Sequence, residues 1–179
     1  MEPEGRSMGR GGETLMLRVV ISWLLGCVLL ATLSSLPVRA EQTFNSLAGS
    51  WSGVGSMKPS DGPPERIRCK VNYAVDSAGE AVKLSLRCAS DSYKMDLSAN
   101  IVQNGTVLSG NWFESQYRQG GKFSGEHDNG IVKAKIESDT ITALLTMQTT
   151  GDHQLFAMES PGAWISQVSI RLLRDRKVP

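Results

Sequence analysis

The sequence predicts an all-β domain: an antiparallel up-and-down meander of about 8–10 strands closing into a barrel, stapled by one disulfide. Three observations carry this. From Leu47 onward apolar and polar residues alternate almost without interruption, as half-buried strands require. Turn residues recur roughly every 8–12 positions, the spacing of a sandwich or barrel. Cys69 and Cys88 fall where one hairpin would set them face to face. No stretch of the domain has the period of an amphipathic helix of normal length.

The first element is not part of that domain. Residues 1–40 have a basic start at Arg6, Arg10 and Arg18, an uncharged run from Val19 to Leu33, and then Pro37 followed by Val38-Arg39-Ala40. This is the pattern of a cleavable export signal, with cleavage expected near Ala40. The apolar run is shorter than the roughly 20 residues of a membrane span. Cys27 lies in the middle of the run, where a lipid-attachment cysteine does not belong. The mature chain, residues 41–179, is expected to be periplasmic or secreted and has the size of one domain. Its Lys and Arg balance its Asp and Glu one for one, so global charge gives no case for nucleic acid or an anionic membrane surface.

Strands are predicted over 47–56, 65–76, 80–89, 92–103, 106–117, 121–128, 131–138, 140–149, 153–159 and 164–173. The hairpins can be closed on their turn residues, because loop length fixes which residues oppose. Asn129-Gly130 places Glu126 opposite Lys133, Lys122 opposite Glu137, Phe123 opposite Ile136 and Gly125 opposite Ala134. Asn104-Gly105 aligns Ile101 with Leu108, Ala99 with Gly110 and Leu97 with Trp112. Closing on Ala78-Gly79, or on the four residues around them, sets Cys69 opposite Cys88, within disulfide reach. The same inward face then carries Leu84 with Leu97, Leu86 with Met95, Ile136 with Ile141 and Met147 with Phe156. A meander sharing one inward face escapes exposed edges by closing.

The domain opens on Leu47-Ala48-Gly49-Ser50-Trp51-Ser52-Gly53, with an echo at Leu108-Ser109-Gly110-Asn111-Trp112. The Gly49-Ser50-Trp51 motif and the strand plan of 44–173 resemble the lipocalins and the related avidin-type barrels. In those families an arginine of the last strand packs across the tryptophan, and Arg171 is similarly placed; simple alternation points it outward, so a bulge is needed to cover Trp51. The resemblance implies a cup for a small molecule, with Ser56–Glu65 as its lid. A second resemblance is to small periplasmic protease inhibitors, which are disulfide-bearing barrels opening on a tryptophan strand.

Candidate site residues follow from strand parity. Trp51 and Trp112 are expected to wall the cavity. Continuing the alternation turns Glu114, Gln116 and Arg118 inward, and unpaired charges do not stay buried. Either this end is a wet mouth where these three contact ligand, or a bulge sends Phe113 inward instead. On the outer face, Arg66, Arg68, Lys70, Lys83 and Arg87 form a basic stripe suited to an anionic envelope polymer or an acidic protein patch. The stripe lacks interleaved aromatics, which argues against nucleic acid. His127 and His153 are expected on opposite faces, so no metal site is expected. With both thiols in the disulfide no cysteine nucleophile remains, and no Gly-x-Ser-x-Gly elbow is present. The expectation is therefore an exported, non-enzymatic binding protein without cofactor that holds a small apolar or amphipathic ligand. The alternative is an envelope interaction protein or protease inhibitor acting through its outer surface. Inward glycines such as Gly53 and Gly110 fit either a hollow interior or close strand packing.

Overall fold

The computed structural model describes residues 44–176. The export signal, its cleavage point near Ala40 and Cys27 lie outside the described residues. A short 3-10 turn, Phe44–Leu47, leads into ten strands: β1 Gly49–Pro59, β2 Glu65–Val75, β3 Ala81–Ala89, β4 Lys94–Asn104, β5 Val107–Glu114, β6 Gln119–Asp128, β7 Ile131–Glu137, β8 Thr142–Thr150, β9 His153–Glu159 and β10 Ile165–Arg174. Each pairs antiparallel with its neighbours in sequence, and β1 pairs with β10, so the sheet closes into a barrel without free edges.

Parity along the strands decides what is inside. In β2 the buried positions are Ile67, Cys69, Val71 and Tyr73, and the residues between them are exposed. Cys69 and Cys88 are directly opposed and disulfide-bonded, with Cα atoms 4.1 Å apart, and both are buried. Their hairpin uses the longer of the two predicted loops. The Asp76 carboxylate accepts hydrogen bonds from the amides of Glu80 (2.9 Å) and Ala81 (3.1 Å), and Gly79 supplies the positive φ.

The Asn129-Gly130 register is as the turn predicts, with both loop residues at positive φ. Three other hairpins slide by two residues. Leu84 faces Ala99 and Leu86 faces Leu97; Ile101 faces Gly110; Ile136 faces Ala143. Serine side chains cause two of these shifts. The Ser90 hydroxyl accepts from the amides of Ser92 and Tyr93, and the Ser138 hydroxyl accepts from Thr140 and Ile141. In each, the loop takes two further residues from the second strand, which begins at Lys94 and at Thr142. In the third, Gly105 with φ 63° takes the first loop position, so the loop is Gly105-Thr106. A slide of two keeps every side chain on its face, because the strand period is two.

Close packing of strands explains the inward glycines. A Cβ on Gly53 would lie 1.9 Å from the Arg171 carbonyl oxygen, and one on Gly110 would lie 2.1 Å from that of Asn100. At these points one strand curls against the next, and only a residue without a side chain permits the approach.

The two ends differ. At the floor, the 3-10 turn plugs the barrel with buried Phe44 and Leu47. The fully buried Trp51 donates its indole N–H to the Leu47 carbonyl at 2.8 Å. The arginine across that ring is Arg174, not Arg171: its guanidinium stacks 4.1 Å from the ring centroid and donates to the carbonyls of Ser46 and Ala48. Arg171 stays on the outer face, as alternation demands, and no bulge is required. The opposite end is the mouth, formed by the β1–β2, β3–β4, β5–β6, β7–β8 and β9–β10 loops. There β1 runs on to Pro59, so the expected lid contracts to residues 60–64, tied by the Ser60 amide to the Trp164 carbonyl at 2.9 Å.

Candidate functional site

Two cavities occupy two levels of the barrel. The floor cavity, about 100 Å³, is walled by apolar side chains such as Val71, Ile101, Phe123 and Phe156. Its polar content is one short relay. The Tyr73 hydroxyl donates to Gln154 Oε1 at 2.8 Å, and Gln154 Nε2 donates to the Thr149 hydroxyl at 3.1 Å. Burial raises the Tyr73 pKa well above the ordinary phenol value, opposed only by the Gln154 hydrogen bond. Tyr73 is thus a neutral donor held in an apolar chamber.

The mouth cavity, about 90 Å³, is lined by Leu97, Trp112, Ile136 and Met158, together with Glu114 and Gln119. Three rings from three loops roof this end. Trp164 lies between Tyr93 and Tyr117, with ring centroids 5.1 Å and 4.9 Å away and tilted planes.

Of the five residues predicted to contact ligand, Trp112 and Glu114 share the mouth cavity. Trp51 lies at the floor and lines neither chamber. Gln116 and Arg118 are exposed in the β5–β6 turn, where Arg118 adopts φ 55°, and they do not point into the barrel. The dilemma between a wet mouth and a bulge has a third resolution. Glu114 is inside and only 5% exposed, while Phe113 stays outside. The strand ends at Glu114, and its carboxylate accepts backbone N–H groups from Asp96 (2.8 Å), Gln116 (3.1 Å) and Tyr117 (2.7 Å). Buried charge is tolerated because the turn itself solvates it. Trp112 is different: its indole N–H is buried and has no acceptor among the described residues.

Sequence reasoning missed Arg174, the Tyr73–Gln154 relay and the three roofing rings. Arg174 lies at the strand end, where inward and outward lose their meaning, while the rings sit in turns, where alternation says nothing.

Outside, Arg66, Arg68, Lys70, Lys83 and Arg87 all project from the β2–β3 hairpin. Lys70 stands directly opposite Arg87, which pairs with Asp96 at 3.2 Å. His127 faces inward, edge-on to Phe44, and His153 is exposed. Among the described residues no group of three His, Cys, Asp or Glu gathers as a metal site would need.

No family model matches the chain, and no curated protein matches it. Solved structures do. A protein from M. tuberculosis, Rv2717c, superposes with TM-score 0.57 at 11% identity, covering 74% of this chain and 94% of its own. The fold is shared. The S-type phycobiliprotein lyase CPES from Guillardia theta gives TM-score 0.52 at 13% identity, covering 75% of this chain and 92% of the lyase. A protein of unknown function of the DUF3598 family, from Nostoc punctiforme, gives 0.53 at 16% over 79% of this chain; the match spans only 53% of that protein. The lyase corrects the expectation of a non-enzymatic protein. A barrel of this architecture belongs to an enzyme, so the lack of a cysteine nucleophile or serine elbow does not exclude catalysis.

Proposed function

We propose that the chain is an exported, lipocalin-like barrel of the calycin type that holds a small, largely apolar ligand in its interior. The observation that carries this is the pair of apolar chambers inside a barrel plugged at one end and roofed by rings at the other. A solidly packed barrel would have no such space, since interiors close to crystal-like density. Fixed polar groups in apolar chambers are the usual composition of a ligand site. Export rests on the leader of residues 1–40.

The test is native mass spectrometry of protein purified from its own envelope or secreted fraction, with titration of apolar fluorophores against tryptophan emission. Co-purifying mass, or saturable quenching, is expected. An apo mass together with no uptake of any probe would sink the proposal.

A second function, binding of an anionic partner, is favoured by one observation on the outer hairpin. Arg66, Arg68, Lys70 and Lys83 are exposed on one hairpin beside Arg87, whose charge is met by Asp96 at 3.2 Å. Charge reversal at Arg66 and Arg68 should abolish retention on an anionic polymer column at low salt while leaving internal binding intact.

A further inference from the structure

The mouth cavity contains an unmatched donor. Trp112 is 8% exposed, its ring lines the chamber, and its Nε1–H has no acceptor among the described residues. Trp51, the other tryptophan of a matching strand motif, has its N–H satisfied by a backbone carbonyl. A buried N–H left unpaired costs free energy that a folded protein normally avoids. Two polar side chains of this chamber, Glu114 and Ser160, make hydrogen bonds to other groups. Glu114 takes three backbone amides, and the Ser160 hydroxyl donates to the Thr142 carbonyl at 2.8 Å.

Resting on the interior-ligand proposal above, we infer that the mouth cavity selects neutral, apolar molecules carrying one hydrogen-bond acceptor, a carbonyl or ether oxygen, which receives the Trp112 N–H. Three features set this class. The walls are aliphatic, thioether and aromatic, so the body of the ligand is apolar. The donor is an indole, which only donates, so the polar atom of the ligand accepts. No Lys or Arg lines the chamber, and the Glu114 carboxylate does; an anionic acceptor would meet like charge in a medium of low dielectric. Tyr117 and Trp164 line this chamber from two loops, and Tyr93 packs on Trp164 from a third.

The experiment uses an isosteric pair, acetophenone and α-methylstyrene, which differ by a carbonyl oxygen in place of a methylene. Full-length protein labelled with 15N-tryptophan is titrated with each, and indole N–H signals are assigned by substitution. Acetophenone is expected to bind about ten-fold more tightly, the factor one hydrogen bond gives, and to move the Trp112 indole proton downfield. Trp112→Phe should bring the two affinities together. Equal affinity in the unsubstituted protein, or a shift confined to Trp51 or Trp164, overturns the inference and leaves interior binding standing. If neither probe binds, the inference is overturned, while the interior-ligand proposal is decided separately by the co-purifying mass and the fluorophore titration.

Discussion

Glu114 at the barrel rim shows how a charge survives inside an apolar fold. Its three N–H partners come from the start of β4 and the β5–β6 turn, so the side chain is a tie across two hairpins. Glu114→Ala should lower stability by about 3 kcal/mol, because it leaves buried amides without acceptors, and urea unfolding measures this directly. Tyr73 gives the residue-scale prediction for pH. Its pKa is raised in the folded state, so the unfolded chain ionises first as pH rises past the ordinary phenol value. The contribution is complete below about pH 10 and lost above it. The melting temperature should therefore fall on the alkaline side, with a smaller slope in Tyr73→Phe. Neither role was legible in the sequence. Alternation placed both side chains inside, but their partners come from elsewhere: Tyr73 on β2 meets Gln154 on β9, far along the chain.

At the scale of the element, hairpins explain most of what local sequence predicted and where it slipped. Asn129-Gly130 and the cysteine hairpin took their predicted registers because loop length and turn residues agree there. The Ser90 and Ser138 loops are longer than two residues because a hydroxyl competes for the turn amides. Serine is common in loops of every length, so its presence alone did not announce this. The disulfide joins positions 19 apart and should contribute about 3 kcal/mol by restricting the unfolded chain. The double substitution Cys69→Ala, Cys88→Ala should lower the urea midpoint by that amount without changing the strand signal in circular dichroism. Gly110→Ala should be costlier than a surface change, by more than about 2 kcal/mol, since its Cβ would meet the Asn100 carbonyl at 2.1 Å. Calorimetry distinguishes this from the few tenths expected of a hollow, unfilled position.

For the whole molecule, closure is the decisive event. β1 pairs with β10 across the whole length of the domain, and the floor is locked by Arg174 against Trp51 and the carbonyls of Ser46 and Ala48. Arg174→Ala should unpin the 3-10 turn and open the floor chamber, read as faster amide exchange at residues 44–48 than in the rest of the barrel. The sequence by itself determined the all-β class, a meander of about 8–10 strands, the face on which most strand side chains lie and the cysteine pair. These depend on a period of two and on turns of a few residues, which are local physics. Only the tertiary structure decided that Arg174 rather than Arg171 covers Trp51 and that Glu114 is satisfied by a turn. It alone brought Trp112 and Glu114 into one chamber away from Trp51, with three loop rings above them. Those outcomes depend on which strand ends meet when the sheet closes, and no alternation along a single strand encodes that meeting.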